Sequence, residues 1–190
     1  MFYFKIKNCS KKKYGIELLL GTELNIMNAR GEIDLPDSVL ERLDIAIASI
    51  HMPCFKDERT IDNVTAAYEK VMEHPYVDII GHPDDGRFPV DMKRLVKKAK
   101  ETGTLLEVNN SSLRPEGFRE NTKENCLEMV KECKAQGVMI VLGSDSHVDA
   151  DIAEYPYAEE ILRETDFPEE LVANVSMEKL KACIKHGKKL

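Results

Sequence analysis

Four short apolar runs in this 190-residue chain each stop abruptly on a residue that can bind a metal. They are LLLGTE, ending at Glu23; IAIASIH, ending at His51; VDIIGH, ending at His82; and MIVLGSDSH, which closes on Asp145 and His147. Runs of this length, rich in β-branched residues, read as parallel strands buried on both faces. A (β/α) barrel builds a metal site in this way, with ligands projecting from the C-terminal ends of successive strands into one pocket.

The segments between the runs have helical periodicity. After His51, residues Ile61, Val64, Tyr68, Val71 and Met72 form one stripe. After His82, Met92, Leu95, Val96 and Ala99 do the same and stop at Gly103. After TLLEVNN, Cys126, Leu127, Val130 and Cys133 stop at Gly137. Glycines in those places are C-terminal stops, and Asn121 followed by Glu124 reads as a helix start. Further helices are expected near Tyr157–Glu164 and from Ser176 to about His186, with a short LVANV strand between them. The strand ends at Glu23, His51, His82, Asn109 and Asp145 are 28, 31, 27 and 36 residues apart, one βα unit per step. The expectation is an α/β fold in a single domain over residues 1–190. It is a partial, distorted (β/α) barrel with about six parallel strands, from ELLLGTEL to LVANV. A complete eight-unit barrel takes about 250 residues. Nothing in MFYFKIKNCSKKKYG reads as an opening strand, so the opening strands are expected to be missing.

Charge and cysteine content narrow the function classes. The net charge is −7, from 27 basic and 34 acidic residues, which argues against general nucleic-acid or bilayer binding. The five scattered cysteines (Cys9, Cys54, Cys126, Cys133, Cys183) form no C-x-x-C pair, so a reducing, cytoplasmic location is expected. The opening residues lack the apolar stretch of a signal peptide, and no segment has the ~20 apolar residues of a membrane span.

Glu23, His51, His82, Asp145 and His147 are the candidate metal ligands. Asp145 and His147 are two residues apart, so on an extended segment both point to one face. Mixed carboxylate and imidazole donors suit Zn²⁺, with Mn²⁺ or Fe²⁺ as alternatives. His74 belongs to a turn at the opposite end of the sheet, and His186 to a helix C-terminus; both read as structural or solvated. Cys54 reads as a loop cysteine without metal. Asn109 closes its strand where the others carry ligands, and either orients a water or substrate oxygen or serves as a turn residue. Arg87, Arg114 and Arg119 fall in loops on the ligand side, where a guanidinium is shaped for phosphate or is simply a surface charge.

Taken in order, GTELNI, SIHMPCF, IIGHP, LEVNNSS and GSDSH resemble the PHP (polymerase and histidinol phosphatase) superfamily, in its branch of bacterial phosphatases with a trinuclear zinc site in a distorted seven-unit barrel. The resemblance runs from about Gly21 to the C-terminal helix. It implies that Glu23 bridges two metals, that His51 and His82 complete one of them, that Asp145 holds the other, and that His147 belongs to a third. It implies hydrolysis of small phosphate esters, with Glu23 and Asp145 in the catalytic centre and Asn109 and Arg119 toward the substrate; histidinol phosphate is a narrower version. The family's opening H-x-H and later D-H do not occur here. The chain therefore reads as N-terminally truncated relative to the family, with impaired catalysis.

A rival reading is a non-catalytic metal-binding or assembly domain. A barrel without its opening strands leaves an edge along ELLLGTEL as a template for pairing, and Phe2–Ile6 of another copy fits there, so a homo-oligomer is expected. A polymerase proofreading nuclease is a weaker rival, because no polymerase region is attached and the chain is acidic.

Overall fold

The apolar runs pair in chain order. In the computed structural model, which describes residues 15–185, five parallel strands form one open sheet in the order β1 to β5. They are β1 (Gly21–Asn25), β2 (Ile45–Ser49), β3 (Ile79–Ile80), β4 (Leu105–Asn109) and β5 (Ile140–Gly143). The connections carry α1 (Asp37–Leu40), α2 (Ile61–Met72), α3 (Met92–Thr102) and α4 (Thr122–Gln136), followed after β5 by α5 (Pro156–Glu164) and α6 (Met177–Cys183). Among the described residues no helix is long and apolar enough to cross a membrane.

Helix ends follow local chemistry. The Thr60 side chain accepts from the Asn63 N–H at the start of α2, and Asp91 accepts from Arg94 N–H at the start of α3. Gly103 and Gly137 end α3 and α4 in the left-handed region at φ 68° and 69°, as their positions predict. Asn121 precedes α4 but makes no side-chain cap, because it is itself left-handed at φ 51°. Its neighbour Glu120 gives its carbonyl to the Gly86 N–H, which pins this loop to the one after β3.

Strand alternation divides the sheet into two faces. Leu24, Ala46, Ala48, Ile80, Leu106, Val108 and Ile140 meet Val64, Tyr68, Leu95, Val96, Met129 and Val130 from the helices in the main core. Ile61, expected in that stripe, is exposed at the first position of α2. The opposite face changes character along its length. Near the strand starts, Ile47, Ile79, Leu105 and Val141 pack under Leu180, Cys183 and Ile184 of the α6 region. Near the strand ends, the same face carries Glu23, Ser49, Gly81, Glu107, Asn109 and Gly143.

The sixth expected strand does not form. LVANV (171–175) is wound into two short 3₁₀ turns and makes a single parallel bridge, Val172 to Ile140. Asn174 explains the difference. Its amide oxygen accepts from the Leu142 N–H and its Nδ2 donates to the Leu142 carbonyl, both at 3.0 Å. One side-chain amide thus serves the β5 edge as a peptide group would, and no further ladder is needed there. The expected pairing of Phe2–Ile6 and the Cys9 thiol lie outside the described residues; the last helix, expected from Ser176 to about His186, ends earlier, at Cys183, where Ile184 turns extended and buries its side chain.

The four described cysteines are free thiols. Burial pushes Cys133 up to about 12 and raises Cys126 well above the ordinary thiol range, so neither forms thiolate near neutrality. In the folded protein a thiol reagent at about pH 8 should label Cys54 and leave Cys126 and Cys133 untouched until global unfolding. Mass-resolved labelling of all three at one rate without denaturant would contradict this core.

Candidate metal centre

Four of the five candidate ligands follow the C-terminal ends of their strands, but the first strand does not stop at Glu23 as expected: β1 begins at Gly21 and runs on to Asn25, with Glu23 at its middle. Glu23 is within β1, and His51 and His82 each follow the last residue of their strand by two positions. Glu23 Oε1 lies 3.1 Å from His82 Nε2 and 3.4 Å from His51 Nε2, and the two Nε2 atoms are 3.2 Å apart. These three form the one group of three or more potential ligands found within 4.8 Å of one another among the described residues. Hydrogen bonds from His51 and then His82 hold the Glu23 carboxyl far below the usual carboxylate range, so Glu23 is an anion at any working pH.

This donor set fits a small divalent cation. Donors about 2.0–2.1 Å from a tetrahedral centre stand about 3.3 Å from each other, close to the three observed separations. Two imidazole nitrogens and a carboxylate at such distances repel unless a proton or a cation lies among them.

A relay orients His51. Asn25 Nδ2 donates to Asp34 Oδ2 at 2.6 Å, which turns the amide oxygen toward His51 Nδ1 at 2.8 Å. A carbonyl oxygen only accepts, so Nδ1 carries a proton and Nε2 is the nitrogen turned to the cluster, donating to Glu23 in the absence of a cation and offering its lone pair to one. His82 is buried, with its backbone at φ 33°.

Asp145 and His147 stand apart from this group. Asp145, at φ 50°, has Oδ2 3.3 Å from both Nη1 and Nη2 of Arg119 and 3.3 Å from Asn109 Nδ2. Arg119 also donates to Ser112 Oγ at 2.8 Å and is nearly buried. Asn109 and Arg119, expected toward the substrate, therefore form one network with Asp145. His147 is 85 % exposed, its Nδ1 3.0 Å from the Asp145 carbonyl oxygen. Of the other arginines, Arg87 is held by Asp85 through a two-point contact and Arg114 by Asp151 at 2.8 Å. His74 pairs with Asp37 at 3.2 Å.

The sequence reading missed several residues beside the site. Glu107 is buried within β4, and burial pushes its carboxyl upward. A charged residue inside an otherwise apolar strand was its signal. Asn25 follows Glu23 by two positions and shares its face, which alternation alone marks. Asp84 is fully buried, neither oxygen has a hydrogen-bond partner, and burial raises its carboxyl to about 7. Its only local mark in the sequence is the DD pair after GHP.

No family model matches the chain. It is 43 % identical over 189 residues to a probable phosphatase of Clostridium novyi, covering all of this chain and 76 % of that protein. It is 42 % identical over 175 residues to one of Acetivibrio thermocellus, covering 92 % and 71 %, and 38 % identical over 190 residues to one of Thermoanaerobacter sp., covering 100 % and 77 %. Its fold is similar to the crystal structure of histidinol phosphate phosphatase from Lactococcus lactis with zinc, L-histidinol and phosphate. The TM-score is 0.58 at 16 % identity, over 88 % of this chain and 74 % of that one. With such identity carried along nearly its whole length, and the ordered motifs set at the ends of parallel strands, the chain belongs to the PHP-type family of bacterial phosphatases.

Proposed function

We propose that the chain carries the metal centre of a phosphomonoester hydrolase, with Zn²⁺ held by Glu23, His51 and His82. The observation that carries this reading is the convergence of three donor atoms at separations of 3.1 to 3.4 Å. Mn²⁺ and Fe²⁺ are compatible with the same donors. A divalent cation there supplies Lewis acidity toward a phosphoryl oxygen and lowers the pKa of water. The relatives' names and the zinc-containing neighbour support the assignment.

The chain's own residues have distinct parts. Glu23 contributes negative charge at the centre of the cluster. His51, fixed by Asn25, and His82, fixed by its turn, present Nε2 lone pairs. Arg119 offers two N–H groups from one rigid fork beside Asn109, an arrangement suited to phosphoryl oxygens. Asp145 holds Arg119 in place and, with His147, supplies ligands for further cations of the family pattern. The substrate is a small phosphorylated molecule, with histidinol phosphate the narrower case.

Metal content and turnover test the reading together. Purified protein should hold one Zn²⁺ per chain, and joint replacement His51→Ala with His82→Ala should abolish stoichiometric metal by elemental analysis. Unchanged metal in that variant would place the site elsewhere.

Turnover should be limited by missing charge neutralisation. No H-x-H occurs in the 190 residues, and phosphoryl transfer depends on several cationic groups acting together. Extending the chain with the H-x-H and D-H segment of the family should raise p-nitrophenyl phosphate hydrolysis by about tenfold or more, and Asp145→Ala should then remove the gain. Equal rates with and without that segment would refute this mechanism. Stoichiometric zinc without turnover in either form would favour the non-catalytic reading.

A further inference from the structure

Glu107 is the one acidic side chain of the sheet face opposite the helices that lies inside the sheet rather than at its edge. It is central in β4, 7 % exposed, and flanked on that face by Leu105 below and Asn109 above. A buried carboxylate is costly unless its oxygens are well occupied. Here Oε2 takes two neutral donors, the His82 backbone N–H at 2.9 Å and Asn109 Nδ2 at 3.1 Å.

Space for this carboxylate is reserved by a glycine on the neighbouring strand β5. A Cβ at Gly143 of β5 would fall inside the Glu107 carboxyl group. A Cβ at Gly81 would lie 3.5 Å from Glu107 Oε2 and would strike Ser49 Oγ and, at 2.9 Å, Ile47. No side chain fits at Gly143 while Glu107 keeps its place, whereas Gly81 is required by Ser49 and Ile47.

The two bonds lead to both halves of the site. His82 has φ 33°, a backbone conformation that a residue with a Cβ holds only when its surroundings over-determine it. The bond from its N–H to Glu107 provides that restraint at the residue whose Nε2 lies 3.1 Å from Glu23. Asn109 shares Nδ2 between Glu107 and Asp145 Oδ2, while its Oδ1 accepts from Ser112 N–H at 2.8 Å and from Arg119 Nη1 at 3.5 Å. Glu107 is the junction of the two networks.

We propose that Glu107 is a positioning residue, a hydrogen-bond acceptor that fixes the left-handed His82 backbone and, through Asn109, sets Asp145 and Arg119 relative to it. The inference rests on the metal reading for its consequence, but its geometry can be tested without metal. The acceptor matters rather than the charge, because both donors are neutral and both go to one oxygen. An amide in place of the carboxyl can present its carbonyl oxygen to the same pair.

Three variants decide the question: Glu107→Gln, Glu107→Leu and Glu107→Asp. In metal-free protein, hydrogen exchange by NMR should find the His82 amide protected in the parent and in Glu107→Gln, and unprotected in Glu107→Leu and Glu107→Asp. The amides of Ile140 and Leu142 should keep their protection throughout. In competition titrations with a chelator, Zn²⁺ affinity should fall about 10–100-fold in the Leu and Asp variants and stay within about threefold in the Gln variant. If Glu107→Leu does not fold, Glu107→Asp carries the comparison, since it keeps the charge but is one methylene short. Protected His82 and parental affinity in the Asp variant would overturn the proposal, as would equal losses in the Gln and Leu variants. A parent that binds no Zn²⁺ would defeat the metal reading, and His82 exchange would still settle the role of Glu107.

Discussion

Everything at this site depends on the two-residue alternation of parallel strands locked in register. With Glu107 beside Val141 and Ile79 beside Leu105, all five strands send the same parity of residue to the face opposite the helices. On that face the change from apolar to polar is stepped across the sheet: Glu23 of β1 is level with Ile47, Ile79 and Leu105, and Glu107 of β4 is level with Val141. Below it, the α6 region covers isoleucine, leucine and valine; above it, acids, amides and glycines meet. A one-residue slip of β4 would bury Glu107 and Asn109 among Leu95, Val96 and Met129 and lift Leu106 and Val108 into the site. The cost of that exchange is what makes the register, and hence the ligand geometry, unique.

The same alternation gives two glutamates on one face opposite properties. Glu23, 42 % exposed at the rim, faces two imidazoles and is held far below the usual range. Glu107, inside the sheet, meets neutral donors, and burial raises it. The first is suited to a cation and the second to fixing backbone. Sequence position cannot separate these parts, because both are single acids in strand-like runs. Depth in the sheet does.

Much of the architecture was legible for physical reasons. Apolar runs leading to Glu23, His51 and His82 gave both the parallel order and the convergence, although β1 continues past Glu23 to Asn25. Gly103 and Gly137 marked helix ends because a left-handed residue was needed there. LVANV was misread because its composition suits a strand, and only the geometry reveals that the Asn174 side chain has taken over the edge of β5. Asn121 marked the start of α4 correctly, but it does so in the left-handed region and without a side-chain cap, in a loop docked against Gly86 that no local pattern announces. Relays such as Asp34 to Asn25 to His51 join residues whose relation is set by a turn, and no local pattern announces them.

The Asp145–Arg119 pair shows why the second half of the site is harder to read from sequence than the first. Arg119 is nearly buried, and a buried guanidinium needs a carboxylate whatever else that carboxylate does. Asp145 therefore has a structural claim on it before any ligand arrives, and its left-handed backbone places the side chain for that claim. On the proposed reading, a phosphoryl group arriving at Arg119 would have to share it with Asp145, and a cation arriving at Asp145 would have to share it with Arg119. Either arrival would then weaken the existing ion pair and release the other partner. Asn109, bonded both to Glu107 and to Asp145, ties this pair to the centre of the sheet.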